Sequence, residues 1–132
     1  MKKSIIMTAI AAVCFMLTSC SPAETIINAN VKVANAQCPI DLGSGLKTTS
    51  LEYTGLYVIY NVQGDDTMYS FSQANATEEI KEQLIASLQS QAMIDDGVRK
   101  FIKALREKGV GVIYHYFTSS TVMDVVIESY EL

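Results

Sequence analysis

The sequence predicts an α+β domain of two layers, with two helices packed on one face of a four- to five-stranded antiparallel sheet. Three observations carry that prediction. Runs of period two and runs of period about 3.6 are segregated along the chain in the order ββ(β)ααββ, not alternated as they are where helices link parallel strands. The chain is 49% hydrophobic and 18% charged, a balance that fills a core and argues against intrinsic disorder. Its 132 residues make one domain, because domains usually run to about 100–150 residues.

The chain opens with an address. Lys2 and Lys3 precede a run from Ile5 to Leu17 in which only Thr8 is polar. Spanning a bilayer takes roughly 20 apolar residues, so this shorter run has the layout of a secretory signal. It ends in Leu17-Thr18-Ser19-Cys20, which resembles the lipobox of bacterial lipoproteins. That resemblance implies that residues 1–19 are removed as a signal peptide, that the Cys20 thiol carries a diacylglyceryl group as a thioether, and that its freed amine is acylated by a palmitate-type chain. A single acyl chain, at about 0.8 kcal/mol per buried CH₂, holds a protein only marginally, whereas two or three hold it stably. Ser21-Pro22-Ala23-Glu24 places no aspartate directly behind the cysteine. By the sorting rule of enteric bacteria this implies the outer membrane. An ordinary cleaved signal with an incidental Cys20 is the plainer alternative.

Cleavage changes the arithmetic. Taking Lys2 and Lys3 from the 10 basic residues leaves 8 against 14 acids, a net charge of −6. An acidic surface with no basic stripe disfavours nucleic acid as a partner. Cys14 leaves with the signal and Cys20 is taken by lipid, so Cys38 has no partner for an intramolecular disulfide and is expected to be buried.

Residues 20–36 are rich in Ala and Asn and are expected to form a flexible tether, with Ile26 to Val33 as a weak strand at most. The globular domain then covers 37–132. Residues 38–45, holding Pro39, Gly43 and Gly45, read as a turn in which Asp41 shapes the backbone and is not a ligand. Leu46 to Tyr53 and Leu56 to Val62 read as a hairpin around Thr54-Gly55. On the second strand Leu56, Val58, Tyr60 and Val62 share one face, and Tyr57, Ile59 and Asn61 the other. Met68 to Phe71 is a candidate short third strand.

Thr77-Glu78-Glu79 begins a helix, with a hydroxyl cap and acids that complement the dipole. Its buried stripe is Ile80, Leu84, Leu88 and Ala92, with Ile85 alongside. A second helix begins near Asp95-Asp96, buries Val98, Phe101, Ile102 and Leu105, and closes at Gly109. Val110 to Phe117 and Thr121 to Tyr130 form a second hairpin, in which Met123, Val125 and Ile127 alternate with Asp124, Val126 and Glu128. The Cys38-Pro39 opening and the passage from Lys108-Gly109-Val110-Gly111-Val112 into a Tyr-rich hairpin are similar to small uncharacterised exported domains of Bacteroides-type bacteria. That resemblance covers residues 38 to 130 and implies no activity.

Groups for catalysis are sparse. Cys38 and His115 stand far apart, with no local signature around either, and one Cys with one His falls two ligands short of a zinc site. The pairs Asp65-Asp66, Glu78-Glu79 and Asp95-Asp96 all fall at loops or helix starts, where acids serve turns and caps. Phosphate loop, nucleophile elbow and dinucleotide fingerprint are lacking, and no cofactor is implied. The sequence therefore predicts a lipid-anchored, non-enzymatic interaction module: an accessory subunit of an envelope complex, or an immunity or inhibitor protein. A small-ligand-binding or enzymatic domain built from scattered side chains is the alternative.

The expected contact surface is the sheet face left open by the helices. The period does not decide between Val112-Tyr114-Tyr116 and Ile113-His115-Phe117 for that face; the second set is assigned there because the histidine is more easily solvated. Tyr57, Ile59, Ile113, His115, Phe117, Val126 and Tyr130 then form an aromatic-aliphatic patch edged by acids, of the composition found in contact surfaces. The rival expectation is that the tether, a loop or a second copy covers it.

Overall fold

A computed structural model of the protein describes residues 22–132. The expected signal peptide, Cys14 and Cys20 lie outside the described residues.

The first element corrects the sequence expectation of a tether. Residues Ala23–Gln37 form a helix, α1, whose Ile27, Val31 and Ala34 recur at i, i+4 and i+7 and are buried in the core. Asn30 shares the buried stripe, its amide Nδ2 donating to the Ile26 carbonyl at 2.9 Å. A stripe with one small and one polar member does not stand out from an Ala- and Asn-rich background, and so composition concealed the period.

The expected turn at residues 38–45 is a turn only at its end. Ile40–Gly43 forms an edge strand, β1, paired antiparallel with β2 (Leu46–Tyr53). The tight link places Gly43, Ser44 and Gly45 in the left-handed region, and Asp41 Oδ1 accepts from the Gly43 N–H at 2.8 Å. β3 (Tyr57–Gly64) follows across Thr54-Gly55-Leu56. Leu56, expected to point inward, is 69% exposed, because the Thr54 hydroxyl takes the Leu56 and Tyr57 N–H groups and holds residues 54–56 as the turn. Residues 68–71 are irregular and not a strand, although Tyr69 and Phe71 are buried.

Both expected helices form. α2 (Glu78–Ile94) is capped by the Thr77 hydroxyl and buries Leu84 and Leu88, with Ile80, Ile85 and Ala92 half-buried. α3 (Asp96–Lys108) is capped by Asp95, which accepts from the Gly97 and Val98 N–H groups, and it ends at a left-handed Gly109. Val98, Phe101, Ile102, Ala104 and Leu105 make its buried face. β4 (Gly111–Phe117) and β5 (Val122–Ile127) complete the sheet, and a 3₁₀ turn at Ser129–Glu131 follows.

The fold is α+β, with a sheet of order β1-β2-β3-β4-β5. It is mixed, not antiparallel: β3 and β4 run parallel, from Tyr57 opposite Gly111 to Gln63 opposite Phe117. Hairpin logic fails at this pair because residues 65–110 intervene. That crossover is long enough to return the chain to the end of the sheet where β3 begins, and the Gly111 N–H donates to the Leu56 carbonyl there. The helical layer also differs from the expected pair. α1 joins α2 and α3, with α3 in the middle touching both, α1 over β2 and α2 against β5.

Between the layers lies an aromatic core. Tyr60 stacks on Tyr114 with ring centroids 4.9 Å apart, and Tyr69, Phe71 and Tyr116 continue the series. Burial pushes the Tyr114 and Tyr116 hydroxyls well above the ordinary tyrosine value, so both stay neutral.

Two amide side chains cap the sheet where no strand does. Beyond the reach of short β1, Asn35 of α1 accepts from the Leu51 N–H at 2.7 Å and donates to its carbonyl at 2.8 Å. At the opposite edge Gln73 does the same for Asp124 of β5, at 2.9 and 2.8 Å. Exposed strand edges invite pairing with other chains, and each amide occupies one such site.

Two measurements test this architecture. Ile27→Ala should lower the unfolding free energy by about 2–5 kcal/mol in urea titration, the usual cost of truncating a buried Ile; a tether would show no change. Near the C-terminus, Lys81 Nζ lies 2.8 Å from Glu131 Oε2, and its hydrogen bond holds the Glu131 carboxyl below the ordinary value. A depressed carboxyl stabilises the fold above its unfolded pKa and loses that contribution as pH falls through the folded one. Lys81→Met should therefore flatten the acid limb of stability against pH, read as urea midpoints from neutral pH through the carboxylate range.

Candidate functional site: the open face of the sheet

Alternation along the strands divides the sheet cleanly. Val58, Tyr60 and Val62 of β3, Val112, Tyr114 and Tyr116 of β4, and Met123, Val125 and Ile127 of β5 face the helices. Their alternates face away, and among the described residues no element covers them. Register then sorts this open face into rows.

The apolar row runs Ile59, Ile113, Val126 across β3, β4 and β5, with Glu52 of β2 at its end. Beside it runs a polar row, Ser50, Asn61, His115 and Asp124. The third row is Lys47, Gln63, Phe117 and Val122. Ile59, Ile113 and Phe117 are half-buried, whereas Val122 and Val126 at the edge are 56% and 37% exposed. A shallow concavity of about 350 Å³ lies over Ile59, Ile113, Asn61 and His115, between Glu52 and Asp124.

The polar row is internally bonded. Asn61 Nδ2 donates to Ser50 Oγ at 3.0 Å, and His115 Nδ1 lies 2.5 Å from Asp124 Oδ1. The second contact follows from the edge. Because Gln73 takes both backbone groups of Asp124, these point away from β4, and His115 and Asp124 form a non-hydrogen-bonded pair, whose side chains stand closest. In the tautomer whose Nδ1–H donates to Asp124, Nε2 is left as an acceptor. The His115 ring also stacks on Phe117, centroids 5.7 Å apart.

Of the seven residues predicted for the contact surface, Ile59, Ile113, His115, Phe117 and Val126 lie together on this face. Tyr57 stands at its lower end. The Tyr57 hydroxyl donates to Glu128 at 2.8 and 3.0 Å, which raises its pKa, and its ring fills the space over Gly111, where a Cβ would come within 2.8 Å of it. Tyr130 is on no strand: it sits in the 3₁₀ turn beyond β5, 84% exposed, and is near enough to Tyr57 to contribute to its raised pKa. Sequence alternation puts Asn61 and Asp124 on the same side, but only register shows that they share a row with His115. The Gln73 clamp carries no sequence signal.

The other candidates separate. Cys38 packs half-buried at the end of α1, on the helical side, its thiol donating to the Ala34 carbonyl at 3.2 Å, while His115 is on the opposite face. Asp66 binds the backbone and hydroxyl of Ser119, Asp65 binds Thr67, and Asp95 caps α3. Among the described residues no three His, Cys, Asp or Glu side chains gather where they could hold a metal ion. No helix among them is long and apolar enough to cross a membrane.

No protein-family model matches the chain, and neither a curated protein nor a solved structure matches it significantly.

Burial pushes the Cys38 thiol up from its ordinary value, which lowers the thiolate fraction at neutral pH. Alkylation of Cys38 by iodoacetamide should accordingly run slower than that of a free thiol and accelerate on adding denaturant; a rate equal to the free thiol's would contradict the packing described.

Proposed function

We propose that this protein is an exported, lipid-anchored component of a bacterial cell envelope that docks another envelope protein on the open face of its sheet. The anchor reading rests on Lys2-Lys3, the apolar run to Leu17 and the box ending in Cys20, and the lack of an aspartate directly behind that cysteine favours the outer membrane by the sorting rule of enteric bacteria. A single observation carries the docking reading: an unbroken apolar row, Ile59-Ile113-Val126, crosses three neighbouring strands beside a row of hydrogen-bonding groups. An apolar centre with polar margins is the anatomy of a contact surface. Glu52 and Asp124 flank the row, so the complementary partner surface is cationic at its rim. The role is non-catalytic, that of an accessory subunit or of an immunity or inhibitor protein.

A second reading is favoured by one feature, the His115–Asp124 pair beside the concavity. An imidazole oriented by a carboxylate is a hydrogen-bonding or proton-accepting group toward a small polar ligand. Ligand screening by thermal shift separates the two readings, since a small polar ligand that raises the melting temperature, with the rise abolished by His115→Ala, fits only the ligand site.

Two outcomes are expected of the main reading. Mass spectrometry of the native protein should find an N-terminal acylated Cys20 with residues 1–19 gone; an unmodified Cys20 ends the anchor reading. A photo-crosslinking residue at Ile113 should capture one discrete envelope protein, with the adduct lost on Val126→Lys. Equal capture from position 93, at the exposed end of α2, would overturn the assignment of the face.

A further inference from the structure

The tie between anchor and domain is short. α1 begins at Ala23 and is packed into the core from Ile27 onward, so only Ser21 and Pro22 separate its first residue from Cys20. Consecutive Cα atoms stand about 3.8 Å apart, which places the Cys20 Cα within about 8 Å of Pro22. A domain held that closely cannot stand clear of the bilayer to which Cys20 is bound.

The residues around the start of α1 identify the end of the domain that the tie holds down. Glu24 accepts from the Tyr53 hydroxyl at 2.6 Å and lies 3.8 Å from Lys108 Nζ, joining the N-terminus of α1 to the end of β2 and the end of α3. The Gly111 N–H on the Leu56 carbonyl brings the start of β4 and the β2–β3 turn to the same end. Tyr57 on Glu128 and Arg106 on the Leu132 carbonyl bring the C-terminal residues there as well. Two large apolar side chains project from this end with nothing over them among the described residues: Leu56, 69% exposed, and Tyr130, 84% exposed. Met93 and Ile94 are also largely exposed, at 83% and 89%, but they sit before the start of α3. The 13 residues of α3 put them about 20 Å away along the helix.

We infer that the end of the domain bearing Leu56 and Tyr130 rests in the headgroup layer of the membrane that holds Cys20, the inference standing on the anchor reading proposed above. An aliphatic side chain and an amphipathic phenol suit the boundary between water and acyl chains. Glu24, Glu107 and Glu128 cluster near this end with Lys108 and Arg106, so the surface it fits is one of zwitterionic lipid and not a strongly anionic one. The orientation has a functional consequence. The β2–β3 turn, the start of β4 and the end of β5 all lie at the membrane end, so the strands stand upright and the open face looks along the bilayer, toward a partner at the same membrane surface.

The test uses the full-length, lipid-modified protein in a Cys38→Ser background, carrying a bimane label at Leu56→Cys, Tyr130→Cys or Ile94→Cys. It is reconstituted into vesicles of phosphatidylcholine and phosphatidylethanolamine containing a headgroup-spin-labelled lipid. Emission should be lost at positions 56 and 130 and retained at 94. Protein that floats with the vesicles yet keeps its emission at 56 and 130, or loses it equally at 94, overturns the orientation while leaving the anchor intact. Protein that fails to float and carries an unacylated Cys20 overturns the anchor reading and this inference together.

Discussion

The parallel pairing of β3 with β4 is the constraint on which the rest of the structure depends. Parallel neighbours cannot be joined by a tight turn, so the chain must leave the sheet after Gly64 and return at Gly111, and it spends residues 65–110 doing so. α2 and α3 occupy that excursion and cover one face. α1, added from the N-terminal side, joins the same layer against α3 and does not cross to the other face. An open face with its rows in register is thus a consequence of chain direction at the centre of the sheet.

The sheet's edges are managed by side chains, and their management reaches the candidate site. Asn35 and Gln73 each satisfy both backbone groups of one edge residue, Leu51 and Asp124. At Leu51 this fastens α1 to β2 where β1 has ended. At Asp124 it takes the two backbone groups that the β4–β5 ladder leaves pointing outward, in the register that stands the Asp124 carboxylate against His115. One amide outside the sheet therefore protects the edge from other strands at the residue whose carboxylate bonds the imidazole on the open face.

α1 links the two halves of the functional reading. As a helix packed by Ile27, Val31 and Ala34, it leaves little free chain between the folded domain and Cys20, the residue proposed to carry lipid. On the proposed anchor, a tether would let the domain sample many orientations above the bilayer, whereas a packed helix would restrict it to few and make the orientation of the open face a property of the fold. Binding between two membrane-held proteins gains from such restriction, because less rotational freedom is lost on docking.

What the sequence determined by itself is whatever local chemistry dictates. The caps at Thr77 and Asp95, the glycine stop at Gly109, the stripe Val98-Phe101-Ile102-Leu105 and the alternation in β3 and β5 each depend on neighbours within a few residues. They are legible for that reason, and they put Ile59 and Val126 on one face; the period leaves β4 undecided, and only the easier solvation of His115 argues for placing Ile113, His115 and Phe117 beside them. The tertiary structure alone decided the rest. A stripe built from Ile27, Asn30, Val31 and Ala34 becomes a helix face only once β2 and α3 are there to bury it. Tyr69 and Phe71 lie in an irregular segment and are core because the folded chain stacks Phe71 on Tyr116 and Tyr69 on Phe71, both over Gly64. The direction of β4 relative to β3, and with it the row Ser50-Asn61-His115-Asp124, is fixed by long-range pairing, which no window of sequence contains, because hydrogen bonds between strands join residues that the chain holds far apart.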